Sequence, residues 1–142
     1  MAVKQLSILI DPQPQRLQEL IGFLNLRRVD LHFVTMVKDP AYAVLRALVP
    51  DGDTVMRILQ DAGYTAFLKD VLVIQTKVGF HSVENALRVL AEQDLMVEDF
   101  VLVNSNGAGS FLIARMQDVK AAQEALEGAG LKLLEGDALW QT

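Results

Sequence analysis

The segment LQDAGY at residues 59–64 returns as LEGAGL at residues 126–131, 67 positions further along a chain of 142 residues. The same offset lays Ala62 on Ala129, Gly63 on Gly130, Val49 on Met116 and Asp51 on Asp118. An offset of 66 lays Leu6 on Leu72, Ile8 on Ile74, Leu17 on Val83, Ile21 on Leu87, Leu24 on Leu90 and Leu31 on Val97. One residue inserted within the unit reconciles the two offsets. The chain therefore reads as two copies of one unit, residues 1–68 and residues 69–142, and its fold must be one that each short copy can adopt.

Each copy reads as strand, helix, strand, strand, helix, strand. VKQLSILI is an apolar strand stopped by DPQPQ, whose prolines cannot continue a ladder. Leu17, Leu20, Ile21 and Leu24 recur at spacings of three and four, which predicts a helix over residues 15–27 with one apolar stripe. Arg27 and Arg28 follow at its carbonyl end, where the helix dipole favours cations. VDLHFVTMV and YAVLRALV form a hairpin around Lys38-Asp39-Pro40. Asp51 or Asp53 caps a second helix whose Val55, Ile58, Leu59 and Ala62 face inward. Gly63 ends that helix in the left-handed conformation and YTAFL closes the unit.

The second copy predicts a strand over 70–76, a helix over 82–93, strands over 95–104 and 109–117, a helix over 119–129 and a last strand over 131–135. Ser82 and Asp118 are its N-caps and Asn106-Gly107 is a two-residue hairpin signal. The expected fold class is α+β: two ferredoxin-like βαββαβ units, each an antiparallel sheet with both helices on one face. In the third strands, Leu45, Ala47 and Val49 match Leu112, Ala114 and Met116 on that face. Val44 and Leu48 match Phe111 and Arg115 on the other, with Ile113 opposite Arg46. That second face is apolar enough to demand cover by another sheet or another subunit, so at least a homodimer is expected.

Composition narrows the function. A net charge of -5 excludes a nucleic-acid surface, which needs clustered cations. No cysteine is present, so disulfides, thiolate metal sites and cysteine nucleophiles are excluded. The apolar start is too short for a signal peptide and no segment approaches a membrane span, so a cytoplasmic, soluble protein that does not meet a membrane is expected. His32 and His81 have no carboxylate at metal-ligand spacing and no serine arranged as a triad, so neither metal nor cofactor is expected. NGAGS at 106–110 lacks the Lys-Ser/Thr ending of a phosphate loop and reads as a turn. DGD at 51–53 reads as a helix start and not as a calcium loop.

The βαββαβ tandem beginning KQLSILIDPQPQRL, with VDL opening the second strand and ILQDAGY closing the second helix, resembles a tandem ACT domain protein. The family pattern has an acidic residue or Asn, then Pro-Gly-Arg-Leu, after the first strand, and Gly-Ile-Asn-Ile where the first helix enters the second strand. Asp11, Pro14, Arg16 and Leu17 match the first motif, with Gln15 in place of Gly and with Pro12 and Gln13 between. Val29 and Leu31 match the second, with Asp30 at the Asn place and Arg28 at the Gly place. In the second copy the corresponding loop is VGFHSV, with Met96 at the Asn place, and Gly79, His81 and Ser82 are its candidate ligand residues.

The resemblance implies a non-catalytic regulatory protein that binds a small amino acid where the first loop of one unit meets another unit or subunit. The amides of Gln15, Arg16 and Leu17 would hold the carboxylate and Asp11 and Asp30 the ammonium. A side chain at Gln15 narrows an approach that glycine would leave open. That change favours a second reading, an interaction module without ligand that dimerises with, or regulates, an enzyme of amino-acid metabolism. A third, acylphosphatase chemistry on the same scaffold, has Arg16 in a suitable loop but no matching Asn.

Overall fold

The computed structural model describes residues 3–76, 81–105 and 109–140. The chain divides into two compact units, one of residues 4–69 and one that takes in residues 70–142. Asn106-Gly107 and Gly79 lie outside the described residues.

In the first unit β1 (Val3–Ile10), α1 (Pro14–Leu26), β2 (His32–Lys38), β3 (Ala43–Leu48) and α2 (Gly52–Asp61) follow in order, and β4 (Thr65–Thr76) begins after the Ala-Gly turn. The strands lie in the order β2-β3-β1-β4. β1 runs antiparallel to β3 with Leu6 opposite Ala47 and Ile8 opposite Leu45. Leu6, Ile8 and Leu45, with Leu20 and Leu24 of α1 and Val55 and Leu59 of α2, make one buried core on the helix face of the sheet. Ile21, expected on the α1 stripe, is exposed, because Leu20 and Leu24 carry the buried line and Leu17 flanks it.

The second unit repeats this plan with the later part of β4, α3 (His81–Glu92), β5 (Val97–Ser105), β6 (Gly109–Met116) and α4 (Val119–Gly128), followed by a short α5 (Gly136–Trp140). Its order is β4-β6-β5. Leu72 faces Ala114 and Ile74 faces Leu112, which reproduces the register of Leu6 with Ala47 and Ile8 with Leu45. The second core gathers the same positions: Leu72, Ile74, Val83, Ala86, Leu90, Leu126 and their neighbours.

Three expectations change. The strands expected to close one unit and open the next are a single strand, because TAFLKDVLVIQT contains no glycine or proline to interrupt it. The last strand expected over 131–135 contracts to an isolated bridge between Ile74 and Leu133, flanked by the Gln75 amide donating to the Lys132 carbonyl and the Leu134 amide to the Val73 carbonyl. Chain that turns into α5 from Gly136 leaves no length for more. α3 begins at His81, one residue before the Ser82 expected to cap it.

On the second sheet face Leu48, Phe111 and Ile113 are at most 4% exposed and Val44 is half-buried, so these positions present no bare apolar surface.

All four long helices end in the same turn. The Gly63 amide donates to Gln60 and the Tyr64 amide to Leu59, and Gly130 and Leu131 repeat this with Glu127 and Leu126. Both glycines have positive φ, 93° and 82°. α1 and α3 close identically through Arg28 and Val29 and through Asp94 and Leu95, although Arg28 (φ 57°) and Asp94 (φ 56°) carry side chains in the left-handed region. The repeated Ala-Gly is thus the visible half of a device used four times.

Candidate functional site

A cleft of about 720 Å³ opens in the first unit where β1 stops and α1 starts. The stop is chemical: Pro12 and Pro14 cannot donate to the ladder, and Pro14 takes the first turn of α1, where its missing N–H costs nothing. Asp11, Arg16 and Glu19 bring charge to the lining, and Phe23, Tyr42 and Tyr64 bring rings.

Each wall has a cause in the sequence. Arg16, Glu19 and Phe23 follow at spacings of three and four and so share one side of α1. Tyr42 is held by the hairpin turn, in which Asp39 Oδ1 accepts from the amides of Ala41 and Tyr42, each at 2.8 Å. Those two donors hold the Asp39 carboxyl below its ordinary pKa. Gly63 and Tyr64 are set on the rim by the left-handed turn after α2. Tyr64 meets Phe23 with ring centroids 5.6 Å apart, and the Arg27 guanidinium lies over the Phe23 ring, 4.9 Å from its centroid.

The loop amides do not form the expected cradle. Arg16 and Leu17 both donate to the Gln13 carbonyl, at 3.0 and 3.4 Å, and the Gln13 amide donates to the Asp11 carbonyl. Arg16 itself pairs with Glu19 at 3.1 Å. The loop satisfies its own donors, and of the three amides only that of Gln15 keeps its donor free.

The structure brings Asp11 and Arg16 together on one lining and leaves the other candidates off it. Leu17, Val29 and Leu31 pack against the first core. Pro12, Gln13, Pro14 and Gln15 shape the turn without lining the cleft. Asp30 stands at the far end of α1, whose 13 residues span about 20 Å, so it cannot meet Asp11 within one unit. Its carboxylate is 88% exposed and lies 3.6 Å from His32 Nε2. Glu19, Phe23, Tyr42 and Tyr64 were not anticipated, although the spacing of Arg16, Glu19 and Phe23 could have found two of them.

A second cleft, about 540 Å³, occupies the corresponding place in the second unit. Ser82 is on its lining, as are Thr76, Arg88 and Lys132. His81 opens α3. No group of residues able to hold a metal occurs among the described residues.

Two βαββαβ copies, each with a cleft between its first strand and first helix, define a tandem ferredoxin-like protein. The chain belongs to the family described as the ACT domain pair, whose model matches residues 1–141. ACT domains are regulatory modules. Among solved structures it is similar to protein BT0572 from Bacteroides thetaiotaomicron, with a TM-score of 0.90, 22% identity, and coverage of 100% of this chain and 98% of that one. It also resembles the regulatory subunit of aspartate kinase from Thermus thermophilus in its ligand-free form, with a TM-score of 0.59, 16% identity, and coverage of 91% and 93%. At these identities the likeness concerns the fold. No curated protein matches the sequence. No helix among the described residues is long and apolar enough to cross a membrane.

Proposed function

We propose that this is a non-catalytic regulatory protein of the cytoplasm that binds a small amino acid through the first loop of its first unit, residues 1–68. The observation that supports it most is the cleft that gathers Asp11 and Arg16 under Tyr42 and Tyr64 in an ACT domain pair. Asp11 matches an ammonium, Arg16 a carboxylate released from Glu19, and the rings an apolar side chain. Asp30, too far away within its own unit, completes the site from a second copy in a homodimer. The open edge of the first sheet suits such a copy, since Val34, Met36 and Val37 of β2 are exposed there. Residues 69–142, with Gly79, His81 and Ser82 in the matching loop, form the second unit.

The test is thermal unfolding with each common amino acid at millimolar concentration, since a ligand of the native state raises the melting temperature. One amino acid is expected to raise it, and Asp11→Ala and Arg16→Ala to remove the rise. No shift with any of them overturns the reading.

The loop that satisfies its own amides favours a second reading, an interaction module without ligand whose partner is an enzyme of amino-acid metabolism. The resemblance to an aspartate kinase regulatory subunit supports that choice of partner. Recovery of such an enzyme on immobilised protein, unchanged by added amino acids, distinguishes this reading from the first.

A further inference from the structure

The two clefts occupy the same place in the repeat but differ in chemistry. Arg88 corresponds to Gly22 of the first copy and Lys132 to Thr65, so both cations belong to the second cleft alone. Arg88 Nη2 meets only a neutral partner there, Asn85 Oδ1 at 2.6 Å. Glu84 is the one acid among the described lining residues, which leaves an excess of positive charge there in a chain whose net charge is negative. The aromatic wall formed by Phe23, Tyr42 and Tyr64 has no counterpart among the described residues of this cleft.

The cleft floor carries a second, independent sign. Thr76 is 7% exposed and its Oγ1 has no hydrogen-bond partner among the described residues. It alternates along β4 with Leu72 and Ile74, both in the second core, so its hydroxyl lies on the helix side of the strand, under the cleft it lines. A buried hydroxyl without a partner is unfavourable and uncommon. An acceptor arriving from the cleft would satisfy it.

We propose that the second unit's cleft binds a small dicarboxylate, with Arg88 and Lys132 taking the two carboxylates and Thr76 donating to one of them. A guanidinium suits a carboxylate by its paired donors and an ammonium adds a point charge. This site is independent of the one proposed for the first unit and asks for a different ligand.

Calorimetric titration of the whole chain with succinate, L-aspartate, inorganic phosphate and L-leucine tests it. Succinate and L-aspartate are expected to bind at one site, and Arg88→Gln and Lys132→Gln each to weaken them about tenfold, the loss of one charge-assisted contact. Thr76→Val keeps the side-chain volume and removes the unpaired hydroxyl, so it should raise the melting temperature of the free protein while weakening dicarboxylate binding. Binding of phosphate alone, no binding of either dicarboxylate, or binding indifferent to both cation substitutions overturns the proposal. Failure of the first-unit reading would appear instead as the lack of any response to neutral amino acids, with the dicarboxylate titration intact.

Discussion

Arg28 and Asp94 sit where their helices need a left-handed residue, and neither is glycine. The left-handed conformation costs a residue with a Cβ about 1–2 kcal/mol, partly offset by the greater freedom glycine loses on folding. Arg28→Gly and Asp94→Gly are each expected to stabilise the protein by about 0.5–1 kcal/mol in denaturant unfolding. Gly63→Ala should cost about 1 kcal/mol by the same measure, although an added Cβ would meet no atom within 4 Å. The repeated Ala-Gly revealed this turn in the sequence at two helix ends. It was hidden at the other two because Arg gives no signal for positive φ and Asp only a weak one. Asp11 and Arg16 were legible as site residues because a proline-rich stop places both at the head of α1. Tyr42 and Tyr64 were not, since only the tertiary fold carries residues 42 and 64 to residue 11.

Among the elements, α2 and α4 show how far a cap can be inferred from residue type. Asp118 Oδ1 accepts from the Ala121 amide at 3.1 Å, whereas Asp51, at the same place before α2, makes no such bond. Asp118→Ala should cost about 1 kcal/mol and Asp51→Ala distinctly less, as read by chemical denaturation. The hairpin between β2 and β3 carries a pH dependence. Asp39 is a stronger acid in the folded state than in the unfolded chain, so its contribution is complete above the ordinary carboxylate pKa and is lost as pH falls through the lowered one. Melting temperature should therefore fall more steeply below roughly pH 4 in the native protein than in Asp39→Ala. Periodicity exposed every helix of the repeat and the two hairpins, because one face of each element packs on a core. It separated β4 into two strands because the duplication suggested a joint, while the residues themselves offer none.

For the whole molecule, the duplication was readable from spacing alone, and the matching registers of Leu6 with Ala47 and Leu72 with Ala114 agree with it. The need to cover the second sheet face was readable as well. What covers it was not, since alternation shows which residues seek burial and not what buries them. The expected dimer therefore depends on β2, an exposed edge with three apolar side chains. Analytical ultracentrifugation should find a dimer, and Val37→Lys should move it toward monomer. A chain that sediments as a monomer at high micromolar concentration would remove the dimer. The first core has a consequence during translation. All its buried members lie between Leu6 and Ala66, and the elements that position them are complete by Asp61 except for β4, whose first part carries Ala66. At about 5–20 residues per second, synthesis of residues 70–142 takes roughly 4–15 s. The leading half can thus consolidate on the ribosome before its near-twin exists to compete for its strands, a hazard that repeated sequences otherwise face.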